Sequence, residues 1–446
     1  MGAGAYGARR AEGVRMLFSD IGILDGNQGY REHCWVGVKG AFIDYVGQEP
    51  PADAAEYGET YDGANRLLMP GFYNAHAHAP MTLLRGWGEA LPLQSWLNDR
   101  IFPFEACMTA EDNYWGTLLA CAEMLRYGTV SFSDMYYNAD ARFKAVKEAG
   151  MKINLGETLV AFEEQPYRDH PLCDTNNRLL REYHGTEDGR LLVDFNLHAE
   201  YTSNPLTAAG LAEAARDAGV RMQVHVSETA LEVEECKQRH NGMTPVAYLE
   251  SIGIFDVPCN AAHCVWLEDG DFSILHRKGV TVSTNPVSNM KLGSGFAPLK
   301  RLIDEGVSVA LGTDGTASNN NYDIMQDMYV MALVAKGAAC DPTVIDPQQA
   351  IFIATRAGAL SQGRDDCGLV EQGMRADLCV LDTSGPSWTP MTNPLANAVY
   401  AGHGDDVCLT MVDGSVCYRD GVWPGIDIER AKVEVSAAAA RVAAQL

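Results

Sequence analysis

The sequence predicts an α/β protein: a (β/α)8 (TIM) barrel, with a small β-sandwich domain assembled from the N- and C-terminal segments. Three observations carry that expectation. Eight apolar, strand-like runs alternate with helical patterns between about residues 67 and 363. Histidines and an aspartate stand at the ends of those runs, where a barrel gathers its functional groups. Both flanks hold short β segments with hairpin turns, and neither flank is large enough to bury a core well by itself.

In chain order, residues 16–25 read as a strand turning at Gly26-Asn27, and 34–43 as a second β stretch with turn-forming glycines. The same texture returns at 376–382 and 407–416, so the two flanks are expected to pair. The barrel runs are 67–74, 129–135, 152–159, 191–197, 222–226, 260–267, 280–285 and 307–312. Helical patterns at 110–126, 139–149, 207–218 and 298–305 lie between them, and Gly128, Gly150, Gly219, Gly279 and Gly306 mark helix ends. The domains that follow are 1–69 plus 364–425 for the β-sandwich, 70–363 for the barrel and 426–446 for a C-terminal helix. A doubly wound open sheet would place a Gly-rich phosphate turn after an early strand, and no such turn follows one here.

Composition narrows the partners. A hydrophobic content of 47% with 21% charged residues is that of a globular enzyme. A formal net charge of −25 repels nucleic-acid backbones and anionic membranes, so neither is an expected partner, while a small nucleoside or base is compatible. The 12 cysteines are scattered without a Cys-x-x-Cys pair, and those in apolar runs such as Leu378-Cys379-Val380-Leu381 read as small hydrophobes in a reducing, cytoplasmic compartment. Residues 1–13 contain no apolar stretch of signal-peptide length. No run approaches the ~18 apolar residues of a membrane span.

The chemistry concentrates in Pro70-Gly71-Phe72-Tyr73-Asn74-Ala75-His76-Ala77-His78-Ala79-Pro80. Side chains two apart on a strand share a face, so His76 and His78 can grip one metal ion. His198 ends the fourth run, His225 the fifth with Glu228 three residues on, His263 the sixth and Asp314 the eighth. A lone histidine at a strand end is an ordinary structural residue. Five of them with an aspartate, on converging strands, make a metal site. A cation held by three neutral imidazoles and a carboxylate leaves room for water, and bound Zn²⁺ lowers the pKa of that water from about 15.7 toward about 7. Asp314 could accept its proton, Glu228 could act as general acid and base, and His263 could polarise the attacking water. Hydrolytic displacement at an electron-poor carbon follows.

These motifs resemble the amidohydrolase superfamily and, within it, the methylthioadenosine/S-adenosylhomocysteine deaminase group. The likeness spans Pro70 to Gly86, His225-Val226-Ser227-Glu228-Thr229, Ala261-Ala262-His263-Cys264-Val265, Asn285 to Gly293, Gly312-Thr313-Asp314-Gly315 and Ala317-Ser318-Asn319-Asn320. The resemblance implies that His76, His78, His225 and Asp314 bind one divalent metal, zinc or in some relatives iron. It makes Glu228 and His263 the proton-handling pair. It places Glu105 against ribose hydroxyls, His198 in contact with substrate and Trp96 in the pocket wall, with a homo-oligomeric assembly. Binuclear relatives need a carboxylated lysine or another bridging carboxylate from strand 3 or 4; strand 4 here offers His198 and no lysine, and Lys152 sits at the wrong end of strand 3. Relatives accepting S-adenosylhomocysteine carry an arginine at the end of strand 3, where this chain has Glu157, which would repel a carboxylate unless Arg168 or Arg178 compensates. The implied reaction is therefore deamination of a 5'-neutral adenosine compound (methylthioadenosine, 5'-deoxyadenosine or adenosine) to the inosine product and ammonia.

Three other readings compete. A free-base or heterocycle aminohydrolase (guanine, 8-oxoguanine, pterin or s-triazine) would share the metal motifs and differ only in the pocket. A cytidine-deaminase type is mimicked by His198-Ala199-Glu200 and Pro258-Cys259, but Cys264 lies too far on to complete its signature. A non-enzymatic barrel would be expected to have lost the ligands. Gly293-Ser294-Gly295 lacks the spacing of a nucleophile elbow and reads as a flexible loop near the substrate. His33, His170, His184, His240, His276 and His403 read as surface or loop residues, and Arg85 as a loop-closing residue or a salt bridge.

Overall fold

The computed structural model describes residues 14–446, so the reading of residues 1–13 lies outside the described residues. β1 (Arg15–Asp25), β2 (Gly29–Lys39) and β3 (Phe42–Gly47) pair antiparallel in sequence. The expected stretch 34–43 is therefore two strands, because Gly40 adopts φ 61° and reverses the chain between them. β4 (Glu59–Asp62) and β5 (Arg66–Pro70) both run parallel to β1.

The barrel strands are β6 (Phe72–Ala77), β7 (Thr129–Tyr136), β8 (Lys152–Leu159), β9 (Leu191–Val193), β10 (Phe195–Leu197), β11 (Met222–Val226), β12 (Cys259–His263), β13 (Thr281–Thr284) and β14 (Ser308–Leu311). They are parallel in the order β14-β13-β12-β11-β10-β8-β7-β6, with the short β9 beside β8. Closure comes from a parallel bridge between Ala77 and Asp314, where the Asp314 N–H donates to the His76 carbonyl at 2.9 Å. Alternating helices cover the outside; Ala110–Arg126 and Ala139–Ala149 have the expected bounds, and Pro205–Ala218 starts two residues before the expected 207. Thr109 and Asp112 form a reciprocal capping box, and Gly150 and Gly219 end their helices in the left-handed region.

The run 67–74, expected as one strand, divides between two sheets. β5 pairs antiparallel with β15 (Leu378–Asp382), and β6 enters the barrel. Gly71 makes the crossing, since a Cβ there would stand 2.3 Å from Val130 Cγ1. β16 (Val407–Val412) and β17 (Ser415–Arg419) complete the small sheet in the order β17-β16-β15-β5-β1-β2-β3, with β4 on β1. The N- and C-terminal segments thus share one hydrogen-bonded sheet of eight strands, bent at the bulges in β1 around a core of Met16, Phe18, Val36, Leu378, Val380 and Leu409. Where this sheet meets the barrel, buried Lys152 at the start of β8 reaches Asp413 at 2.8 Å and also contacts Asp377, which accepts from the Tyr73 hydroxyl. The C-terminal helix, Ile428–Ala443, buries Ala431, Val435, Ala438 and Val442 against the helix Ala110–Arg126. No helix among the described residues is long and apolar enough to cross a membrane.

Candidate metal centre

All five predicted histidines and Asp314 meet at the C-terminal mouth of the barrel. The ligand nitrogens of His76, His78 and His225 lie within 4.8 Å of one another. Asp314 Oδ1 is 3.5 Å from His76 Nε2 and 3.1 Å from His78 Nε2. Each donor is aimed by a neighbour. His78 Nδ1 is 2.5 Å from the Met135 carbonyl and His225 Nδ1 is 2.6 Å from the His198 carbonyl, so on both rings Nδ1 carries a hydrogen and Nε2 is the nitrogen turned to the site. Asp314 Oδ2 accepts from Ser288 at 2.6 Å and Ser318 at 2.9 Å, which leaves Oδ1 facing the imidazoles.

The donors fit a divalent ion on the structure's own terms. His76 Nε2 is buried with no hydrogen-bond partner, an expensive state for a polar atom unless a cation takes its lone pair. Burial lowers His76 to about 4 and His225 well below its usual value, so both are neutral ligands at neutral pH. His78 is also subject to burial, but the Asp314 carboxylate outweighs it and draws the ring up to about 9. Burial opposes the charge on Asp314, and His76 and His78 overcome it and hold the carboxyl well below the carboxylate range. Asp314 at φ 64° and His263 at φ 74° occupy the left-handed region, at a cost of about 1–3 kcal/mol each, as is common where a site needs one geometry.

Glu228 and His263 form the second layer of chemistry, with His263 Nε2 3.8 Å from Glu228 Oε2. Burial, before any charge effect, raises the Glu228 carboxyl. Glu228 is fixed through its own backbone: the buried Glu232 carboxylate accepts the N–H groups of Ser227 at 2.8 Å and Glu228 at 2.7 Å. Sequence reasoning missed Glu232, although Thr229-Ala230-Leu231-Glu232 spells a capping box that the structure forms. It also missed Asp134, which accepts the Ala79 N–H at 2.7 Å while paired to Arg142, and so fixes the turn after His78.

A cavity opens on this cluster, and Trp96, Glu105 and His198 all line it. Its apolar wall comes from Met81, Leu93, Leu97, Ile101, Phe102 and Leu292, and no lysine or arginine among the described residues lines it. Burial pushes the Glu105 carboxyl up to about 7. Glu157 requires a correction. Its carboxylate accepts the Ala139 N–H at 2.8 Å, capping a helix, and the next residue, Thr158, forms the cavity wall. Neighbouring strand residues face opposite ways, so the expected repulsion between Glu157 and a substrate carboxylate has no structural basis. The compensating arginines are elsewhere too: Arg178 grips Asp140 at 2.7 Å and Arg168 lies exposed beside Asp169. Lys152 sits at the opposite end of the barrel, as expected. Arg85 is a salt bridge to Glu123 that also holds the Asn320 carbonyl. His240 is half-buried against Glu200 at 2.6 Å, and His33 is exposed.

Comparison with known proteins agrees with this geometry. The amidohydrolase family pattern matches residues 67–417. A 5-methylthioadenosine/S-adenosylhomocysteine deaminase of Desulforamulus reducens is 40% identical over 408 residues, 91% of this chain and 93% of that protein. A 5'-deoxyadenosine deaminase of Methanosarcina mazei is 40% identical over 385 residues, 86% of this chain and 88% of that protein. Among solved structures, an adenosine deaminase from Xanthomonas campestris with bound zinc superposes with a TM-score of 0.90 at 29% identity, covering 97% of this chain and 99% of that one. With that pattern running through the barrel and into the small sheet, and its histidine–aspartate cluster at the barrel mouth, the chain belongs to the amidohydrolase family.

Proposed function

We propose that the protein is a metal-dependent hydrolytic deaminase of 5'-modified adenosines, acting on methylthioadenosine, 5'-deoxyadenosine or adenosine in preference to S-adenosylhomocysteine. Glu105 carries this reading. A carboxyl in the wall of the cavity that holds the metal donors, with no lysine or arginine among the described residues lining that cavity, suits the paired hydroxyls of a ribose. The same absence of a cation leaves the amino-acid carboxylate of S-adenosylhomocysteine without a partner. Relatives named for methylthioadenosine/S-adenosylhomocysteine and for 5'-deoxyadenosine support the adenosine class as a whole.

His76, His78, His225 and Asp314 would hold one divalent ion, zinc first and iron second. Such an ion supplies a water whose pKa falls from about 15.7 toward about 7, a nucleophile at neutral pH. Glu228, its carboxyl raised by burial, is placed to deliver a proton to N1 of the adenine ring, which makes C6 more electron-poor. His263 orients the attacking water through Nε2. Asp314 Oδ1 takes the proton that the water loses and passes it to the departing nitrogen. The water oxygen bonds to C6, the bond from C6 to the amino nitrogen breaks, the remaining water proton returns to Glu228 as the C6 carbonyl forms, and ammonia leaves with the inosine product. Trp96, Phe102 and His198 wall the nucleoside and exclude bulk water.

Ammonia release from metal-loaded protein tests the reading across adenosine, 5'-deoxyadenosine, methylthioadenosine, S-adenosylhomocysteine, guanine, 8-oxoguanine, a pterin and an aminotriazine. Turnover confined to the adenosines, with S-adenosylhomocysteine poorest, is the expected result. Turnover of free bases or triazines alone would keep the metal chemistry and remove Glu105 from ribose recognition.

A further inference from the structure

The segment that follows β13 supplies no metal donor, acid or base, yet three of its side chains reach three groups that the reaction uses. Ser288 Oγ donates to Asp314 Oδ2 at 2.6 Å, Asn289 Oδ1 lies 2.8 Å from His263 Nδ1, and Ser294 Oγ donates to Glu228 Oε1 at 3.2 Å. All three residues are at most 3% exposed. We propose that Ser288, Asn289 and Ser294 are positioning residues that act as one clamp, fixing Asp314, His263 and Glu228 relative to one another; the proposal rests on the deaminase reading of those three groups.

Each contact has a chemical consequence. An amide oxygen can only accept, so Asn289 Oδ1 places the hydrogen of His263 on Nδ1 and leaves the Nε2 lone pair on the side of Glu228. Ser294 engages Oε1 of Glu228, and Oε2 is the oxygen recorded toward His263. Ser288 occupies Oδ2 of Asp314, and Oδ1 faces the metal donors.

The segment is built to hold still. Pro286–Lys291 is a short helix whose Val287 N–H reaches Asp327 at 3.4 Å and whose Lys291 ammonium reaches Glu89 at 2.7 Å. Gly293-Ser294-Gly295, expected as a flexible loop, is pinned on both sides of the serine. The Ser294 N–H donates to the Asn289 carbonyl at 2.8 Å, and the Ser294 carbonyl accepts from the Trp266 indole at 2.7 Å. Gly295 is required there: at φ 123°, a Cβ would stand 3.1 Å from Val265 Cγ1. The glycines shape the loop so that one hydroxyl meets Glu228.

Four variants of the metal-loaded full chain test the clamp: Ser294→Ala, Ser294→Thr, Asn289→Leu and Asn289→Asp. The readouts are kcat and KM with methylthioadenosine, metal per chain, and ¹⁵N NMR of the histidine rings. Ser294→Ala should lower kcat about tenfold, the upper end of what one hydrogen bond contributes, with KM within about twofold and metal content unchanged. Ser294→Thr, which keeps the hydroxyl, should recover most of that loss. Asn289→Leu should lower kcat and remove the protonated Nδ1 signal of His263, and Asn289→Asp should keep that signal. Wild-type kcat in Ser294→Ala, equal losses in the alanine and threonine variants, or an unchanged His263 signal in Asn289→Leu would each overturn the clamp. If Asn289→Leu does not fold, the Ser294 pair decides alone. Should the wild-type chain deaminate no adenosine compound, the function reading fails, and the ring signals still decide whether Asn289 sets the His263 tautomer.

Discussion

The barrel carries a buried charged cluster at each end, and the two are built on opposite principles. At the N-terminal end, Lys152 contacts Asp377 and stands 2.8 Å from Asp413, and Arg375 reaches Asp413 at 3.1 Å, so each carboxylate meets a cation. At the C-terminal mouth, one carboxylate, Asp314, faces His76, which burial keeps neutral, and His78, which it draws up to about 9, and His76 Nε2 makes no hydrogen bond among the described residues. The first cluster joins the barrel to the small sheet, and its carboxylates are ion-paired within the protein, although Asp413 Oδ2 makes no hydrogen bond among the described residues. The second is complete only when something outside the chain enters it. Conserving energy at one end and leaving donors unmet at the other is how a barrel separates stability from chemistry.

Substitutions at the two ends should therefore fail differently. The largest effect is expected from Asp314→Asn, which should lose most bound metal and the activity with it while the fold persists; full metal and full turnover would remove Asp314 from the ligand set. Glu228→Gln should keep metal and lower kcat by about 10²–10⁴, as loss of a proton-carrying group does. Metal analysis beside steady-state kinetics separates the two. Lys152→Met should do the reverse, lowering stability by about 3–5 kcal/mol because buried Asp377 loses its cation while Asp413 keeps Arg375, with near-normal kcat in the protein that remains folded. Chemical denaturation measures it, and a stable Lys152→Met with poor kcat would erase the contrast between the two ends.

The smallest effect concerns pH. Burial moves Glu105 from 4.5 to about 7, so the fold favours its neutral form. The stability this contributes is full below pH 4.5 and is lost as pH rises through about 7. A Glu105→Gln variant stays neutral, so its melting temperature should match wild type in acid and exceed it increasingly toward about pH 8. A wild-type advantage that grows with pH would mean that a cation pairs with Glu105. The same variant should raise KM for adenosines a few-fold, the scale of one weakened hydrogen bond.

The sequence reading reached the mouth of the barrel because side-chain alternation and strand ends are local properties. His76 and His78 two residues apart, and single histidines closing apolar runs, needed no tertiary information. What failed was whatever depended on a one-residue register or on partners distant in sequence. Glu157 and Thr158 are neighbours, yet one caps a helix outside the barrel and the other lines the cavity. The run 67–74 looked continuous because both β5 and β6 are apolar, and only the close approach of Gly71 to Val130 reveals the change of sheet. Ser288, Asn289 and Ser294 are small polar residues with ordinary surface chemistry. Their partners Asp314, His263 and Glu228 lie 26 to 66 residues away, so nothing in the local pattern announces them.

The central claim is that the unmet donors at the mouth hold one catalytic metal ion. Titrating zinc into chelator-stripped protein, with ammonia release from methylthioadenosine and bound zinc measured on the same samples, tests it most directly. Activity should be absent in the stripped protein, rise in proportion to zinc bound and reach its plateau at one equivalent per chain. Turnover by the metal-free chain, or a plateau only at two equivalents, would contradict it.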